Sequence, residues 1–229
     1  MCTVTYLPIS GGFVLTHNRD EAPSRSQHGL VRSDSLIFPR DTKAGGAWIA
    51  TANDGRTACL LNGAFVKHRH EPPYRRSRGL VLLDFFDWPE PRDFFEKYNL
   101  EGIEPFTFLF FQTEKVVQLR WDGAHRHLAE LPPDQPHFWC SATLYPPDMQ
   151  ARREQVFRDW LEKNKSLSSR SLPAAILNLH LTGSVGDPEN DYVMNRDGRV
   201  RTVSVTQVVC RKSGTRMRYF DLLAKRKAV

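Results

Sequence analysis

No stretch of this sequence is apolar for long enough to cross a bilayer as a helix, which takes about 20 residues. The first apolar run is broken by Pro8 and by Gly11-Gly12, and no positive segment precedes it. Neither a signal peptide nor a membrane span is therefore expected. Cysteine is scarce: Cys2, Cys59, Cys140 and Cys210 all stand far apart. That spacing excludes a CxxC redox pair and a zinc knuckle. Without an export signal, the expectation is four reduced thiols and a cytoplasmic location. Repeats, low-complexity tracts and Pro/Gly/Ser linkers are also missing, so a single domain over residues 1–229 is expected. No helix-turn-helix, RRM or zinc signature is present, so the basic runs from Arg69 to Arg78 and from Arg196 to Arg218 do not call for a nucleic-acid partner. His68/His70 and His125/His127 lack a second cluster of matching spacing, so they read as surface histidines. No metal and no cofactor is expected.

What the chain has in quantity is aromatic and β-branched residues. Hydrophobic residues make up 40% and charged ones 25%, a balance that makes the chain globular rather than disordered. The net charge of +6 suits an acidic ligand but is common in plain soluble proteins.

Thr3 to Leu7 and Phe13 to Thr16 read as two strands around a short turn at Pro8 to Gly12. Facing residues in such a hairpin have a constant index sum. A turn centred near Ser10 places Cys2 opposite the neighbourhood of Asn18, beside the polar run Asn18-Arg19-Asp20-Glu21. A cation there lowers a thiol pKa. Residue two is small, so Met1 is removable. Its loss leaves an α-amine, with a pKa of about 7.7–8.0, on the residue that carries the thiol. Nucleophile and base then share one residue. The ordinary alternative is an unremarkable strand cysteine beside a solvated turn.

Further along, Leu36 to Phe38 is a short strand. Gly45-Gly46 precedes the strand at Ala47 to Thr51, which implies close backbone approach. Asn53-Asp54-Gly55 is a hairpin turn, and the return strand ends at Asn62, facing Gly45-Gly46. Val66 to Arg78 reads as a basic, solvated loop, Arg78 to Trp88 as a buried helix, and Pro91 to Tyr98 as a short one. Phe106 to Phe111 is a central strand buried on both faces, with Lys115 to Trp121 as its partner. A strand at His137 to Ser141 ends in Thr143-Leu144-Tyr145. Helices follow from Pro147 and over Leu172 to Leu181, the latter capped by Ser171. Arg199 to Thr206 is a strand, extended or bulged through Cys210 and returning at Met217 to Phe220. The tail at Lys225 to Lys227 is expected to fray. Strands, then helices, then strands make an α+β class.

At Asn18-Arg19-Asp20-Glu21 the chain resembles the NRDE family, also called the transport-and-Golgi-organization-2 family. Met1-Cys2, Gly45-Gly46-Ala47-Trp48, Asn53-Asp54-Gly55-Arg56, Leu61-Asn62-Gly63, Phe138 to Tyr145 and Arg201 to Thr206 resemble family segments in the expected order. That family is similar to N-terminal-nucleophile (Ntn) hydrolases of the bile-salt-hydrolase and penicillin-acylase type. The resemblance implies a four-layer αββα sandwich of two mainly antiparallel sheets. It also implies cleavage of a linear, non-peptide acyl-amide bond through a thioester. Cys2 matches the nucleophile, and Arg19 and Asp20 match the residues that stabilise the thiolate and orient the amine. Asn62 matches an oxyanion donor. Where those enzymes carry a second oxyanion Asn, this chain has Cys140-Ser141, so Ser141 is the donor expected there. Asn18, Gly46 and Trp48 join Ser141 as expected substrate-binding residues. The expected partner is a small-molecule substrate. The alternative is a non-catalytic binder of a hydrophobic ligand such as a lipid, acyl-CoA or haem.

Overall fold

A computed structural model describes residues 2–25 and 29–224. Met1 and the tail at Lys225 to Lys227 lie outside the described residues. The first hairpin pairs β1 (Cys2–Ile9) with β2 (Gly12–Glu21). Its turn is Ser10-Gly11, with Gly11 at φ +70, a conformation that glycine adopts without a Cβ penalty. The register is Cys2↔Arg19 and Thr3↔Asn18, one residue beyond the expected pairing. In a strand that one step moves a side chain to the other face.

The second sheet begins with β3 (Val31–Arg32), which the sequence reading missed, and β4 (Leu36–Phe38). It continues through β5 (Ile49–Ala52), β6 (Thr57–Asn62), β7 (Phe106–Gln112), β8 (Lys115–Trp121) and β9 (Arg126–Leu131). These seven strands lie side by side in sequence order, every pair antiparallel. The helices α1 (Arg78–Asp84) and α2 (Pro91–Lys97) sit on its outer face. Ser77 caps α1 by accepting the Leu80 N–H, and Pro91 starts α2, where its missing N–H costs nothing.

The chain then returns to the first sheet through β10 (His137–Cys140), which pairs with β1. Thr143 to Tyr145 does not prolong that strand. The N–H groups of Leu144 and Tyr145 donate back to the Ser141 carbonyl, making a turn that delivers Pro147 to α3 (Pro147–Asn164). Next is α4 (Leu172–Thr182). Ser171 makes no capping bond there; its backbone is already helical and its hydroxyl lies 3.2 Å from that of Ser168. The strands β11 (Asn195–Arg196), β12 (Val200–Arg211) and β13 (Gly214–Asp221) complete the sheet in the order β10-β1-β2-β12, with β11 and β13 both beside β12.

Three apolar cores define the layers. Leu82, Phe85 and Phe94 meet Phe106, Phe108 and Phe110 between the first helix pair and the seven-stranded sheet. Val4, Tyr6 and Leu15 meet Ile49, Leu109 and Phe111 between the two sheets. Leu7, Ile9 and Val14 meet Phe157, Ile176 and Leu179 under the second helix pair. From Phe108 to Phe111 the side chains of β7 therefore alternate between two cores, as a strand buried on both faces requires. The architecture is an αββα sandwich.

Candidate active site between the two sheets

Alternation along β1 and β2 sorts the sequence-predicted residues. Cys2 and Arg19 face each other across the hairpin and point between the sheets, with the apolar side chains of Val4 and Tyr6 following Cys2 along β1. Asn18 and Asp20 point the opposite way, toward the helices. Asn18 donates to the carbonyls of His180 and Tyr192 at 2.9 and 2.7 Å. Asp20 accepts from Tyr145 and Thr202 at 2.9 and 2.6 Å. Asn18 thus faces structural partners, and the Asp20 carboxyl is held by Tyr145 and Thr202. Burial raises the Asp20 carboxyl pKa above its ordinary value, against the pull of Arg153 and Thr202. The irregularity between Thr202 and Ser204 in β12 lets Thr202 face Asp20 while Ser204 faces Arg19.

The partner of Arg19 is Asp41, 2.5 Å away. Sequence reasoning missed Asp41; its only local signal is an acidic residue just before a Gly-Gly turn. Its second oxygen accepts the N–H groups of Lys43 and Ala44 at 3.0 and 2.9 Å, and Arg25 joins the first at 2.7 Å. Burial alone would raise this carboxyl. The N–H of Ala44 and the two guanidinium groups outweigh it and hold it below its ordinary 3.8. A depressed carboxylate stabilises the fold above its unfolded pKa, and the contribution is lost as pH falls through the folded value. Asp41→Asn is therefore expected to lower stability at pH 7 and to flatten the loss of stability below pH 3.8, read by urea unfolding at stepped pH.

The Arg19 guanidinium also donates to the Arg25 carbonyl at 2.8 Å and lies 3.8 Å from the centre of the Trp48 ring. A cation over an indole face is held by the ring quadrupole. Arg19 is thereby fixed on three sides with its charge beside the thiol. Burial pushes the Cys2 thiol above its ordinary value and Arg19 pulls it down, with burial prevailing.

A cavity of about 500 Å³ opens in front of these groups, with Cys2, Arg19, Trp48 and Asn62 in its wall. Gly46 lines it too. Any Cβ on Gly46 would stand 2.3 Å from the carbonyl carbon of Gly79 in α1. This is the close approach the glycine pair implied. Gly46→Ala is expected to cost on the order of 1–3 kcal/mol, as overpacking does, and circular-dichroism melts check it. Ser141 is buried next to Cys2, its N–H donating to the Cys2 carbonyl at 2.9 Å. Its hydroxyl, however, donates to the Asn62 carbonyl at 2.9 Å. Ser141 ties the two sheets together at the site and does not line the cavity.

The segment expected to be a solvated loop is a wall of this cavity. Tyr74, Arg76 and Ser77 line it, and Glu104 anchors the segment to Arg78 at 2.9 Å and to His68 and His70 at 3.1 Å each. His68 is accordingly a half-buried tie, not a free surface histidine. Among the described residues no cluster of three or more His, Cys, Asp or Glu side chains has metal-holding geometry.

The family model described as Transport and Golgi organisation 2 matches residues 1–225. The chain belongs to this family. No curated protein sequence matches the chain. Solved structures do. An N-acylethanolamine-hydrolyzing acid amidase ortholog from Caenorhabditis elegans superposes with a TM-score of 0.62 at 11% identity, covering 91% of this chain and 92% of its own. The C2A mutant of conjugated bile acid hydrolase from Clostridium perfringens gives 0.54 at 11% identity, covering 97% and 92%. Penicillin V acylase from Agrobacterium tumefaciens gives 0.54 at 8% identity, covering 97% and 86%. At such identities the likeness is one of fold: this chain shares the αββα sandwich of these hydrolases. No helix among the described residues is long and apolar enough to cross a membrane.

Proposed function

We propose that this chain is an N-terminal-cysteine amidohydrolase, a single domain acting on a linear, non-peptide acyl-amide. The observation that carries the reading is Cys2 in the wall of the inter-sheet cavity, with Arg19 opposite and Asn62 beside the same space. Removal of Met1 frees the α-amine of Cys2, which takes the thiol proton. Arg19 stabilises the thiolate through its charge. The sulfur adds to the amide carbonyl carbon, and the oxygen of the tetrahedral intermediate is held by the Asn62 amide and a backbone N–H. Collapse breaks the C–N bond, the ammonium returns its proton to the leaving amine, and a thioester remains. Water, deprotonated by the same amine, then releases the acid. Trp48 and Gly46 shape the wall against which the acyl group lies.

A second reading keeps the cavity but not the chemistry: a binder of a lipid, acyl-CoA or haem. Two observations favour it. Burial holds the Cys2 thiol up, and the Ser141 hydroxyl is already spent on Asn62. The deciding experiment combines intact mass with a screen of simple acyl-amides and acyl-thioesters. Loss of Met1 together with turnover supports the hydrolase. Retained Met1 with no turnover supports the binder.

A further inference from the structure

A second, smaller cavity of about 140 Å³ lies where the sheets part beside α3. Arg120 of β8 is in its wall, with Thr107, Cys140, Gln150 and Glu154 around it. None of its lining residues lines the larger cavity.

Arg120 differs from the arginines of the larger cavity. Arg19 has Asp41, Arg76 has Asp84, and Arg78 has Glu104. Among the described residues Arg120 has no carboxylate within ion-pair distance. It gives one N–H to the Ala64 carbonyl at 3.1 Å and one to the Gln118 side chain at 3.3 Å, where the Trp139 indole already donates at 2.9 Å. Its Nε–H is buried and unpartnered. A guanidinium has five N–H donors in a planar fork. Two are spent here, both on neutral acceptors. Arg120 is half-buried, and that burial lowers its pKa with no acidic neighbour opposing. Phe65, itself 48% exposed, covers the other face of the guanidinium at 4.9 Å. Glu154 is the one acid in the wall, and its oxygen is held by Arg158 at 2.6 Å.

We infer that this cavity is an anion site, in which the N–H groups of Arg120 left free by Ala64 and Gln118 take a small oxyanion, a carboxylate or a phosphate group, in charge-assisted hydrogen bonds. The planar fork suits both. The volume admits the anionic group and little else, so a larger ligand would present only that group. Glu154 opposes the anion electrostatically.

The test is calorimetric titration of the full chain with inorganic phosphate and, separately, with acetate at low ionic strength. The variants are Arg120→Gln, Glu154→Gln and Arg76→Gln. Loss of a charge-assisted contact corresponds to about tenfold or more in affinity. At least one anion is expected to bind. Arg120→Gln should weaken it at least about tenfold, Glu154→Gln should tighten it, and Arg76→Gln should leave it within about twofold. The anion that binds identifies the source. Failure of both anions to bind at millimolar concentration overturns the proposal. So does weakening by Arg76→Gln in place of Arg120→Gln. Should Arg120→Gln not fold, Glu154→Gln decides alone, and unchanged or weakened binding in it overturns the site. None of these readouts depends on amide turnover.

Discussion

Cys2→Ala is expected to reduce amide turnover to background while the fold persists. The nucleophile is the one group in the proposed scheme that no neighbour can replace. Losing it in a related covalent mechanism costs on the order of 10⁶ in kcat, so even a slow enzyme would fall below detection. The structural cost is small by contrast. The thiol is buried and packs among apolar side chains between the sheets. Replacing a small, buried thiol by a methyl loses roughly 1 kcal/mol of packing. The β1–β2 ladder and the Ser141 N–H to Cys2 carbonyl bond use only backbone at residue 2 and survive the change. Turnover and melting temperature should therefore separate. Residual turnover within about tenfold of wild type would place the nucleophile elsewhere.

The second large effect is on stability in mild acid. His17 and His180 are both fully buried. Burial pushes His17 down from 6.5 to about 3, and carries His180 well below 6.5. His180 sits between Thr5 at 2.7 Å and the Asn18 side chain, contacts that suit a neutral imidazole. His17 has only the Leu60 carbonyl at 3.5 Å, and its Nδ1 is unpartnered. A base whose folded pKa is depressed stabilises the fold fully above its unfolded value. That contribution is lost as pH falls from 6.5 toward the folded value, because the unfolded chain binds the proton first. Each histidine contributes up to about 1.4 kcal/mol per pH unit. From His17 alone, unfolding free energy should thus fall by about 2 kcal/mol between pH 7 and pH 5, with His180 acting in the same direction. His17→Gln should remove the His17 part of that slope, read from urea midpoints at each pH. An unchanged slope would show that His17 is already protonated or already solvated in the folded chain.

Much of this arrangement was legible in the sequence because strands alternate. The β-branched run of β1 and the apolar run of β7 read as strands, and Gly11 marks the turn between β1 and β2. The turns at Asn53 to Gly55 and the proline starts of α2 and α3 punctuate the rest. What the sequence could not give was register to one residue. The hairpin turn is Ser10-Gly11 and not centred on Ser10, and that half-step sends Asn18 and Asp20 to the helix side. It leaves Arg19 alone with Cys2 between the sheets. The same limit hid Asp41, which reaches Arg19 from a loop 22 positions along the chain. Asp20 finds Tyr145 and Thr202 only after the helices and β12 are in place. Ser141 is expected as an oxyanion donor, but its hydroxyl donates to the Asn62 carbonyl at the end of β6, a placement no local pattern fixes. The basic loop from Val66 to Arg78 shows the same limit. Its charges look solvated until Glu104, whose carboxyl His68, His70 and Arg78 share, is brought beside them.

The most direct measurement of the central claim is the mass of the Cys2 peptide from purified protein quenched in acid during reaction with an activated acyl-amide. The account predicts an N-terminal peptide that begins at Cys2 and carries one acyl group, sensitive to hydroxylamine as a thioester is, and absent in Cys2→Ala. A peptide that still begins at Met1, or one that stays unacylated while the amide is consumed, would contradict it.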